Sequence, residues 1–72
     1  MAMSKAVLRE ELITIIVNAA ARGTGNGTVG PVEAAQILDF LVSDDSAPEW
    51  EACREPGRSI LRKVIRIYRS LP

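Results

Sequence analysis

The chain contains no histidine and a single cysteine, Cys53. Without histidine it lacks the side chain that most often serves as a general base at neutral pH, and also the commonest metal ligand. One thiol makes neither an internal disulfide nor a zinc site. With no base beside it, Cys53 reads as a structural thiol rather than a nucleophile. Acid–base catalysis would rest on carboxylates alone, and 72 residues suggest no pocket-forming scaffold. The expectation is a protein that is not an enzyme, with no catalytic residue, no cofactor and no metal.

Aromatic residues are scarce as well: Phe40, Trp50 and Tyr68 are the full set. The core must therefore be aliphatic, and at 47% apolar residues the chain should fold rather than stay disordered. A long apolar run is missing. The stretch from Leu12 to Val17 is interrupted by Thr14 and preceded by Arg9, Glu10 and Glu11. It is too short and too charged for a signal peptide or a membrane span. With one unpaired thiol, this predicts a cytoplasmic protein with no membrane partner. Period-two alternation is absent too, which leaves an all-α reading.

What the chain does have is helical patterning in four places. The expected helices cover about 4–22, 31–42, 48–54 and 57–71, with a glycine-rich loop at 23–30, in one domain spanning 1–72. The fold class is thus a small helical bundle of three main helices plus one short helix. Ser4 is a candidate cap for the first helix. Leu8, Leu12, Ile15 and Ala19 form one stripe there, and Ala6, Ile13, Val17 and Ala20 a second, with Ile16 between them. An arc this wide means either a central helix covered on two sides or an interface. Gly23 is the expected stop. Pro31 opens the second helix with Glu33 in its first turn. Its core stripe is Ala34, Ala35, Ile37, Leu38, Leu41 and Val42, and Phe40 falls outside it, near Glu33 and Gln36. Ser46 and Glu49 have the spacing of a capping box for the short helix with Trp50 and Cys53, which Pro56-Gly57 ends.

The last fifteen residues are the most ordered in pattern. Ile60, Leu61, Val64, Ile65, Ile67, Tyr68 and Leu71 share one side of the wheel, and Arg58, Arg62, Lys63, Arg66 and Arg69 the other, with no acid among them. Net charge is zero only because residues 31–57 carry seven acids against Arg54. Such an asymmetry points to an acidic partner or to mutual attraction of the two halves.

Several motif-like stretches have simpler readings. Gly25-Asn-Gly-Thr-Val-Gly30 has dinucleotide-loop spacing, but a helix precedes it and no sheet surrounds it. The acids Asp44, Asp45, Glu49 and Glu51 lack the alternation and central glycine of a calcium loop. Asp45-Ser46 resembles the pair that carries phosphopantetheine in small four-helix carrier proteins. Ala47-Pro48 departs from their pattern, and a capping role accounts for the serine.

Function therefore rests on surfaces. The expected reading is a protein–protein interaction module, an inhibitor or adaptor of the kind bacteria and phages encode, acting on a protein target. A core this small suggests a homodimer, with Ile13, Val17 and Ala20 as interface candidates. Phe40, Trp50, Arg62, Arg66 and Arg69 are the candidate partner contacts, since aromatics and arginine dominate hot spots. The alternative is a dimeric helix-turn-helix-like DNA-binding regulator, with Arg58, Arg62, Lys63, Arg66 and Arg69 on phosphates.

Overall fold

The computed structural model describes residues 4–20 and 29–72, without the side chains of Ala20 and Ala52. The expected end of the first helix at Arg22, the stop at Gly23 and the glycine-rich loop through Thr28 lie outside the described residues. All regular structure among the described residues is helical: α1 (Lys5–Ala20), α2 (Pro31–Ser43), a 3₁₀ helix (Pro48–Ala52) and α3 (Gly57–Ser70).

Local chemistry sets the helix starts. The backbone N–H of Val7 donates to Ser4 Oγ at 3.1 Å, the cap that serine in this position predicts. Pro31 occupies the first turn of α2 beside Glu33. Glu55 opens α3: its carboxylate accepts from Arg58 at 3.1 Å and from the Ser59 hydroxyl. A negative charge there also suits the positive end of the helix dipole.

The core is one cluster. α1 contributes Leu8, Leu12 and Ile16, α2 contributes Ala34, Leu38 and Leu41, and α3 contributes Leu61, Ile65 and Tyr68. Val29, Ala47, Trp50 and Cys53 join from the connections. The wide apolar arc of α1 is explained by its place: it packs against both α2 and α3, while those two touch each other less. Ile13, Ile15 and Val17 flank the buried line and are half-buried against it.

α1 and α3 run antiparallel. Lys5 at the start of α1 donates to the Leu71 carbonyl at 3.5 Å and lies over the Tyr68 ring. At the other end Gly57 lies against Ala19, where a Cβ on the glycine would fall 2.9 Å from the Ala19 Cβ. Small side chains there set the helix separation. Gly57→Ala should therefore lower stability by about 1–2 kcal/mol, because overpacking outweighs the gain in helix propensity. Urea unfolding would show it, and Ala19→Gly in the same chain should restore part of the loss. An unchanged midpoint in Gly57→Ala would mean the helices separate freely there.

Two expectations need correction. The short helix is five residues of 3₁₀ structure, Pro48–Ala52, rather than the expected span to residue 54, with i→i+3 bonds from Trp50 N to Ala47 O and from Cys53 N to Trp50 O. Ser46 and Glu49 do not form a capping box. Ala47 is the N-cap and makes no side-chain bond. Ser46 turns back instead, its N–H and hydroxyl both donating to Asp44 Oδ1 at 2.9 and 2.8 Å. An aspartate two residues before a serine competes well for it by closing an Asx turn.

Candidate interaction surfaces

The basic side of α3 is less free than its sequence suggests. Arg58 pairs with Glu55 at 3.1 Å. The Arg62 guanidinium lies 4.7 Å from the centroid of the Trp50 ring. Arg69 reaches back to α2, donating to the Leu41 carbonyl at 2.6 Å, the Val42 carbonyl at 2.9 Å and Asp45 Oδ1 at 3.2 Å. These carbonyls belong to the last turn of α2, where the helix dipole is negative and carbonyls lack helical partners. Lys63 and Arg66 are exposed and have no ion-pair partner among the described residues. Arg62, Arg66, Arg69 and Asp45 line a depression of about 160 Å³.

Three of the expected partner contacts, Trp50, Arg62 and Arg69, therefore have work inside the fold. Trp50 is 4% exposed, a core residue rather than a surface contact. Its connection folds inward because an apolar ring between α2 and α3 is best placed out of water. Arg69 serves as the C-terminal clamp of α2. Phe40 behaves as its position off the core stripe predicts, at 56% exposed. Of the expected dimer contacts, Ile13 and Val17 are partly covered within the chain, and the Ala20 side chain lies outside the described residues.

Residues not singled out from the sequence also shape the surface. Ile60 and Ile67, on the apolar side of the wheel, are 52% and 55% exposed. The arc of apolar residues on α3 is wider than its contact with α1, so its edge stays in water. Beside it lies a shallow cleft of about 320 Å³ between α1 and α3, bordered by Ile15, Asn18, Ala19, Pro56, Gly57 and Ile60. Arg9 joins α1 to α2 through Asp39 at 3.0 Å. The small pair Ala19 and Gly57 was the available signal for the close α1–α3 crossing.

The titrating groups suit structural roles. Burial raises the pKa of the Cys53 thiol, which keeps it protonated and a poor nucleophile near neutral pH. The Ser46 N–H and hydroxyl lower the pKa of Asp44, and Ser59 followed by Arg58 lowers that of Glu55. A lowered folded value means stability that is present above the ordinary carboxylate range and lost as pH falls through the folded pKa. Acid titration followed by circular dichroism should accordingly show a shallower loss of helix in Asp44→Asn, Glu55→Gln than in the parent. No group of three or more metal-ligating side chains is found among the described residues. No described helix is long and apolar enough to cross a membrane.

Set against protein-family models, curated proteins and solved structures, the chain matches none of them.

Proposed function

We propose that this chain is a non-enzymatic interaction module, an inhibitor or adaptor that works as a homodimer and meets a protein target through the outer face of α2. The observation that carries the reading is Phe40. It is more than half exposed on a helix whose core stripe is already complete with Ala34, Leu38 and Leu41. Holding a phenylalanine ring half in water forgoes about half of the roughly 1.5–3 kcal/mol that full burial gives, which a partner's pocket recovers. The basic helix supports the same reading by default. Arg58, Arg62 and Arg69 each have a partner within the chain, so Lys63 and Arg66 are left to meet phosphates.

The second reading is a dimeric helix-turn-helix-like regulator that sets α3 on DNA. The depression lined by Arg62, Arg66 and Arg69 favours it. One comparison separates the two. The tagged protein, passed over nuclease-treated lysate of its host, should retain one stoichiometric protein that Phe40→Ala loses and Arg66→Ala keeps. A salt-sensitive DNA mobility shift abolished by Lys63→Ala, Arg66→Ala would overturn the module reading in favour of the regulator.

A further inference from the structure

We propose that the face shared by α1 and α3 is where a second copy of this chain docks, about a twofold axis parallel to the helices. The proposal rests on the dimeric reading above and is independent of what Phe40 touches. It moves the interface from the Ile13 and Val17 side of α1 to the opposite flank.

The cleft residues locate the face. Asn18 on α1 and Ile60 on α3 border the same opening. At 100° per residue, Glu11 and Val7 recur on nearly the same line of α1 as Asn18, and Ile67 on nearly the same line of α3 as Ile60. Among the described residues, Val7, Ile60 and Ile67 are three of the five large apolar side chains left more than half exposed, at 53%, 52% and 55%. Half-buried Ile15, Val64 and Leu71 fill the seam between them. The result is a two-helix strip, apolar along α3 and mixed apolar and polar along α1, the form of surface that pairs into a four-helix bundle.

Charge complementarity names the occupant. Exposed Glu11 lies on the α1 half of this face, and exposed Lys63 on the outer edge of the α3 half. Neither has an ion-pair partner among the described residues. The Lys5–Leu71 and Ala19–Gly57 contacts fix the antiparallel register. Counting from them at 1.5 Å per residue, Glu11 and Lys63 sit within about 3 Å of the same height, near the middle of the seam. Two face-to-face twofold arrangements exist. With the axis across the helices, α3 meets α3, and Lys63 faces Lys63 while Glu11 faces Glu11. With the axis along the helices, α3 of one copy meets α1 of the other, and each Lys63 faces a Glu11. Only the second pairs opposite charges, and it does so twice per dimer. Such an isologous contact uses the same patch on both copies.

Sedimentation equilibrium of the full chain, from about 1 μM to about 1 mM, reads the outcome over the range of a modest interface. The parent should dimerise, and Ile67→Asp should be monomeric throughout. Lys63→Glu and Glu11→Lys should each weaken the dimer at least about tenfold, because each breaks both symmetric pairs and sets like charges together. Combining them restores opposite pairing and should bring the dimer back to near parental strength. The reversals are at exposed positions, so unchanged circular dichroism serves as the fold control. A parent that stays monomeric overturns the proposal. So does a dimer indifferent to Ile67→Asp and to both reversals. A combined variant no stronger than the single ones overturns the twofold arrangement. None of these outcomes alters capture through Phe40, so failure of the dimer face and failure of the target surface are read separately.

Discussion

Trp50→Ala should leave the protein largely unfolded at room temperature. The indole is 4% exposed within the core cluster and lies under the Arg62 guanidinium. Truncating a buried aromatic to alanine costs about 3–5 kcal/mol through lost burial and the cavity left behind. A single core in a chain this short supplies only about 3–5 kcal/mol in total. The two quantities are of the same size, so far-UV circular dichroism should lose most of its helical signal. Trp50→Phe is the informative companion. The buried indole Nε1 has no hydrogen-bond partner among the described residues, so a phenyl ring removes a polar group without orphaning another. It should stay folded at a cost below about 1.5 kcal/mol, with an aromatic face still beneath Arg62. A fully helical Trp50→Ala protein with an unchanged urea midpoint would remove this residue from the core.

Arg69→Ala should be the most damaging change on the surface, at about 2 kcal/mol. Three hydrogen bonds from one guanidinium end α2, two of them to carbonyls of its last turn. Bonds to a charged group are worth about 1.5–3 kcal/mol, and partial exposure to water places this set toward the lower part of that range. Arg69→Lys should recover only part of the loss, since an ammonium cannot span the same fork of acceptors. Asp45 is 79% exposed at its side chain, so its ion pair with Arg69 adds little. Asp45→Ala should therefore be mild, and Arg69→Ala should cost nearly as much in that background. Equal costs for Asp45→Ala and Arg69→Ala in urea unfolding would instead put the energy in the ion pair and not in the carbonyls.

Both residues sit where a helical wheel is weak. A wheel ranks positions within one helix, and five residues of 3₁₀ structure around Trp50 offer too few turns to define an inward stripe. Arg69 lies on the polar side of α3 by any periodic count. Its real neighbours are 27 and 28 residues earlier in the chain. Phe40 was easier to place, because α2 carries three clean buried positions against which an off-register ring stands out. Ile60 and Ile67 were harder. Periodicity marks them as apolar-side residues, but only the width of the neighbouring helix decides how much of that side is covered.

What the residue order determined by itself is the three main helices and the starts of the first two, the Ser4 cap and Pro31 with Glu33 at the head of α2, together with the buried line of each main helix. These depend on hydrogen bonds and side-chain spacing within a turn or two, so a local pattern encodes them. Tertiary structure alone decided that α1 is central, that Trp50 turns inward beneath Arg62, that Arg69 closes α2, and that Val7, Ile60 and Ile67 are left exposed. Those outcomes depend on contacts between distant positions, as far apart as Lys5 and Leu71 at 66 residues. Their geometry exists only once the helices have packed against one another.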